Sequence, residues 1–149
     1  MASPRSPLPS IRIEVSPGEL LDRIAILEIK AERIEDPAKL KNIRHELGLY
    51  RDVRQSLIPG GAAIEALIRD LKAVNGILWE VEDEIRACET NRDFGSGFVE
   101  LARSVYRTND RRAAIKREIN LLLGSDLIEE KSYADSRSAF FAAAPGAPA

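Results

Sequence analysis

The sequence predicts an all-α protein, an antiparallel bundle of about four long helices behind a short extended N-terminal segment. Three observations predict it. Helix starts of the cap-plus-proline kind occur at Ser16-Pro17 and Asp36-Pro37. Apolar residues recur in steps of three and four from Ile64 to Cys88. Glycine-bearing breaks at Pro59-Gly60-Gly61 and across Asn91 to Gly97 divide what lies between.

Residues 1–10 read as a flexible lead-in, and Ile11, Ile13 and Val15 alternate with Arg12 and Glu14 as an extended segment or lone strand. Ser16 then offers an N-cap oxygen, and Pro17 fills the first helical position, where a missing N–H costs nothing. Glu19 completes a capping box. The helix that begins there runs to about Glu35. Asp36-Pro37 opens a second helix, which carries Leu40, Ile43, Leu47 and Tyr50 along one side. The third holds Ile64, Leu67, Leu71, Val74, Leu78, Val81, Ile85 and Cys88 on one stripe, roughly 40 Å of helix that needs long partners. The fourth starts near Ser96 and runs to Leu123, with Gly124 as its stop. Ser125 to Tyr133 reads as one more short helix, and 134–149 as a disordered tail with Phe140 and Phe141 able to dock. The helical part, 11–133, is expected to form one domain.

Composition narrows the functions. A chain of 149 residues with 44% hydrophobic and 31% charged residues can bury a core without a staple. A net charge of -2 argues against nucleic acid as a partner. One histidine, His45, and one cysteine, Cys88, exclude a disulfide within the chain and paired-His metal motifs. His45 lies at a solvated edge of the second helix, and Cys88 continues an apolar stripe. No apolar run reaches the ~18 residues of a membrane span, and the first ten residues lack a signal-peptide core. A bacterial cytoplasmic location is expected.

The informative positions are polar residues on faces that ought to be apolar. On the first helix, Leu20, Ile24, Leu27, Ala31 and Ile34 form one stripe, and Leu21, Ala25 and Ile29 a second. A helix apolar on two sides belongs in the centre. Glu28 and Glu32 fall between the stripes, whereas Asp22, Arg23, Lys30 and Arg33 crowd a solvent-like face with Glu19. On the fourth helix the inward arc of Phe98, Leu101, Val105, Ile119 and Leu123 also contains Arg112 and Lys116, flanked by Asn109 and Asn120, with Tyr106 at its edge. A break at Asn109-Asp110 would rotate this face outward. On the third helix a flanking row turns polar at Asn75, Trp79, Glu82, Arg86 and Glu89.

A buried carboxylate needs a cation, so Glu28 is expected to face Arg112 or Lys116. Such a cluster is either an interhelical salt-bridge network or a ligand pocket formed by Glu28, Glu32, Asn75, Trp79, Glu82, Tyr106, Asn109, Arg112, Lys116 and Asn120. Gly95-Ser96-Gly97, just before the fourth helix, is a turn or an anion site.

The segments Ser16-Pro17-Gly18-Glu19-Leu20-Leu21-Asp22-Arg23-Ile24, Leu27-Glu28-Ile29-Lys30, Val74-Asn75, Leu78-Trp79-Glu80-Val81-Glu82-Asp83, Asn109-Asp110-Arg111, Ile115-Lys116 and Glu129-Glu130-Lys131-Ser132-Tyr133 resemble an uncharacterised bacterial family, a domain of unknown function. The resemblance spans most of residues 11–133; Arg23 and Ala25 depart from it, standing where Lys and Thr are expected. It implies no activity, only a setting beside genes for surface polysaccharides. Two function classes follow. One is a non-catalytic binding or assembly protein, accessory to envelope glycan synthesis, that forms a homo-oligomer through the third helix and engages a protein partner or a small anionic ligand. The other is a small-molecule enzyme with an interhelical carboxylate, Lys and Asn site, dependent on magnesium and acting on a phosphorylated substrate. The residues single out no catalytic group, no metal ligand and no cofactor.

Overall fold

A computed structural model describes residues 7–132. Its helices are α1 (Pro17–Arg33), α2 (Pro37–Leu57), α3 (Ala62–Asn91) and α4 (Ser96–Leu122). They pack on one another as an all-α bundle, with no strand among the described residues.

Both proline starts form as their chemistry requires. Ser16 Oγ accepts the Glu19 N–H at 3.2 Å, and Asp36 Oδ1 accepts that of Lys39 at 2.9 Å. The capping box itself is half made. The Glu19 carboxylate turns to Lys116 and Arg23, not back to the Ser16 N–H.

α1 is central: α2, α3 and α4 all pack against it, and α3 pairs further with α4. Leu21, Ile24 and Ala25 of α1 are 1–3% exposed, and Leu71 and Ile119 are fully buried. Each side of α1 thus loses its apolar area to a different neighbour. α2 places Ile43 and Leu47 in the core, with Leu40 and Tyr50 half-buried and His45 exposed. α4 runs unbroken through Asn109, so its polar face is not rotated away. Of its expected inward arc only Ile119 is buried; Phe98, Leu101, Val105 and Leu123 are half-covered.

Among the described residues the chain before α1 forms neither helix nor strand, and Ile11 and Ile13 stand 88% and 75% exposed in it. One sequence expectation fails here. Ser125 to Ser132 forms no helix. α4 ends at a left-handed Gly124 (φ +65°), where the Ser125 N–H bonds the Asn120 carbonyl at 2.8 Å and reverses the chain. The turn is a helix stop, and the segment beyond it runs back along α4. Residues 1–6, Tyr133 and the tail with Phe140 and Phe141 lie outside the described residues.

Candidate functional site: a buried carboxylate that fixes Arg112

The crossing of α1 and α4 depends on Gly18. A Cβ at this position would lie 2.6 Å from the Lys116 carbonyl oxygen and 2.9 Å from Asn120 Oδ1. The close approach lets Asn120, only 2% exposed, accept the Gly18 N–H at 2.7 Å. An orphan donor of the first turn is thereby satisfied from another helix. Asn120, counted with the ligand candidates from sequence, serves as a clamp on α1.

One turn along, Asp22 is 1% exposed. Arg112 grips it with two nitrogens: Nε lies 3.0 and 3.1 Å from the two oxygens, and Nη2 2.6 Å from Oδ2. Asn75 Nδ2 donates to Oδ1 at 2.8 Å, and Lys116 Nζ lies 3.5 Å from Oδ2. Burial alone would raise the Asp22 pKa. The Arg112 and Asn75 hydrogen bonds, with the charges of Arg112 and Lys116, outweigh it and hold the carboxyl below its usual range. Burial likewise pushes Lys116 down, and Glu19 at 2.7 Å, with Asp22 and Glu129, lifts it above an ordinary lysine.

The expected partnership of Glu28 with Arg112 or Lys116 is therefore wrong. Glu28 faces Arg51 of α2 at 2.9 Å and Lys72 of α3 at 3.4 Å. It bridges a gap where those two helices do not pack together. Glu32 pairs with Lys72 at 2.6 Å, largely in solvent. The carboxylate that α4 needs is Asp22, which the sequence reading had assigned to the solvent-like face. A signal for it was present: Gly18, Asp22, Ala25 and Ile29 repeat in steps of four, three and four, and all four are buried. Judged by that spacing, Asp22 stands in the middle of an apolar stripe.

The third nitrogen of Arg112 turns away from Asp22 to Asn109. Nη1 lies 3.3 Å from Asn109 Oδ1, and the side chain is 29% exposed. It opens on a groove of about 390 Å³ between α1, α3 and α4. Asn75, Trp79, Glu82 and Asn109 line this groove, as expected of a pocket, together with Ile26, Ile29, Lys30, Leu78, Asp83 and Arg86. On the other flank of Arg112 a smaller cleft of about 230 Å³ reaches Lys116, Glu19 and Glu129. Tyr106 is 48% exposed and lines neither. Lys30, Asp83 and Glu129 were not singled out beforehand, since each reads as ordinary surface charge on its own segment. At the Gly95 turn, the Gly95 N–H is taken by Asp93 Oδ1 at 3.2 Å. Among the described residues no three His, Cys, Asp or Glu side chains gather to hold a metal ion, and no helix is long and apolar enough to cross a membrane.

A family model matches residues 11–144, that of a family of unknown function, DUF6165. No curated protein and no solved structure matches the chain.

Proposed function

Since the chain belongs to this family of unknown function, its role has to be read from its own groove, and we propose a non-catalytic binding protein for a small anionic sugar, acidic or phosphorylated. The observation that carries the reading is Arg112. Its guanidinium is fixed through two nitrogens by a carboxylate 1% exposed, while the third donates to Asn109 Oδ1 at 3.3 Å on the wall of the groove. A buried ion pair is an inefficient way to stabilise a bundle, since apolar side chains of similar volume often do as well. It is an efficient way to hold a planar, always-charged donor in one orientation for an incoming carboxylate or phosphate. Trp79 offers an apolar face to a sugar ring, and Asn109 offers its amide NH2 to a hydroxyl.

The reading sets the protein in the bacterial cytoplasm, accessory to envelope glycan synthesis, as the family resemblance implies. It extends to a homodimer through the far half of α3, where Ile85 and Cys88 continue the core stripe and are only half-covered. The competing enzyme reading has Glu82 and Asp83 in the groove as carboxylates for magnesium. Two carboxylates suffice for magnesium with a phosphorylated substrate, so the two readings part on turnover and not on ligand count.

Trp79 is the single tryptophan, so its fluorescence reports on this groove alone. Titration with glucuronate and glucose 1-phosphate should give a saturable change, and glucose should not. Arg112→Lys should weaken binding roughly 10- to 100-fold, the worth of a charged hydrogen-bond pair. No response to either anionic sugar, or an equal response to glucose, overturns the reading. Release of phosphate from glucose 1-phosphate only when magnesium is added would favour the enzyme.

A further inference from the structure

The chain that follows α4 lies where a ligand's charge would have to go. After the reversal at Gly124, Glu129 comes to 3.5 Å from Lys116 Nζ and Glu130 to 3.1 Å from Arg117. Both partners lie before the end of α4, so the segment 126–132 is laid back against α4 as a strap. It has no regular structure, and its two paired acids, Glu129 and Glu130, are 53% and 76% exposed. Exposed pairs of this kind hold weakly. What they cover is different: the Lys116 side chain is 11% exposed.

An ammonium has three donors. Lys116 directs one to Glu19 at 2.7 Å, and two longer approaches reach Asp22 and Glu129, each at 3.5 Å. Glu19 and Asp22 are fixed on α1, and Glu129 is the partner that can leave. The 230 Å³ cleft is lined by Glu19 and Glu129 and by Arg112, Lys116 and Lys131, with Asp22 buried behind Arg112 and Lys116. Withdrawing Glu129 leaves Lys116 with Glu19 and Asp22 and opens its outward donor to an incoming anion.

We propose that this cleft is an anion subsite for a phosphoryl or carboxylate group, and that Glu129 is its built-in surrogate, displaced when the ligand's anion enters. Arg112 and Asn109 line both the cleft and the groove, so the subsite would take the charged end of the sugar that the groove binds, and to that extent it rests on the reading above. The strap then acts as a latch: it screens Lys116 until an anion stronger than one exposed carboxylate competes for it.

Inorganic phosphate and pyrophosphate are the probes, read by phosphorus NMR and by the backbone amide shifts of residues 126–132. Wild type should bind pyrophosphate and shift the strap amides. Glu129→Gln should tighten binding about fivefold, the upper worth of an exposed pair. Glu118→Gln makes the same charge change on an exposed part of α4 outside the cleft and should leave affinity unchanged. Both sites are exposed, so both variants should keep wild-type helicity. Absence of binding, or equal tightening by the two variants, overturns the subsite. A Trp79 response to glucuronate without any phosphate effect would leave the groove standing and remove the cleft. Phosphate binding with no Trp79 response would do the reverse.

Discussion

Asp22 has the chemistry of a group that the fold must keep charged. Breaking a buried pair from one side leaves the other charge without a partner, at about 3–5 kcal/mol, whereas removing both can be close to neutral. Asp22→Asn should therefore lower stability by that amount, and Asp22→Leu with Arg112→Met should recover most of it, as urea unfolding of the four variants would show. Glu28→Gln, with its partners at the surface, should cost less than about 1 kcal/mol. The sign of the pH dependence follows from the same geometry. Asp22 and Glu19 titrate below their ordinary values in the folded state, so their contribution is complete above the unfolded pKa of about 4. It is lost as pH falls through the lower folded values. Lys116 has the opposite displacement, and its contribution is lost only as pH rises past the unfolded value of about 10.4. Urea midpoints should hold level between these limits and fall on the acid side, with a shallower fall in Asp22→Leu/Arg112→Met. An acid limb of unchanged slope in that variant would mean that Asp22 is not the group responsible.

At the scale of the helix, what was legible depended on whether a signal was local. Caps, proline starts and the Gly124 stop act within one turn, and Ser16, Asp36 and Gly124 each do what their residue type suggests. The inward polar arc of α4 was legible too, because Arg112 and Lys116 interrupt an apolar row that the helix must bury. Its partner was not. α1 is covered from several sides, so a wheel that looks for one wet face forces a charged cluster onto it, and Asp22 went there with Arg23. The strap was misread as a helix because residues 125–133 carry helix-compatible types, and nothing local says that their charges are spent on α4. A prediction belongs to this scale. Gly18→Ala adds one methyl against a backbone carbonyl that cannot rotate away, so α1 and α4 must separate or the Asn120 bond must break. Overpacking of this kind costs about 1–3 kcal/mol. Helix propensity alone would make the same change stabilising, by up to about 1 kcal/mol. Thermal unfolding decides between them by sign, and a higher midpoint for Gly18→Ala would show that the helices are not held in this contact.

Across the molecule the four helices are unequal in length, and the inequality leaves a surface. α3 has 30 residues and α1 only 17, about 45 Å against 26 Å at the usual rise. Ile64, Leu71, Val74, Leu78 and Val81 are buried along the α3 stripe, at 0–9% exposure, but Ile85 and Cys88 beyond them are only half-covered. There α3 has α4 beside it, and the hairpin tip shows Phe94 and Val99 at 51% and 52% exposure. The proposed homodimer would cover this tip with a second copy of the chain. The far half of α3 carries Glu82, Asp83, Glu84 and Glu89, with Arg86, and none of these acids has an ion pair among the described residues, while α4 carries Arg103 and Arg107 at the surface, both sharing the single carboxylate of Glu100. A two-fold arrangement of hairpins would set the α3 acids of each copy against Arg103 and Arg107 of the other, over a shared apolar strip. Light scattering should accordingly give twice the chain mass at micromolar concentration, falling toward a monomer in high salt. Val99→Asp, at a position too exposed to matter for folding, should shift the mass to that of one chain with helicity unchanged, and Ile85→Asp should do so more completely. A monomer at high micromolar concentration in low salt would remove the dimer. The Trp79 groove, formed by α1, α3 and α4 of a single copy, would then keep its residues, and Glu82, Asp83 and Arg86 at its rim would face solvent in place of a neighbour.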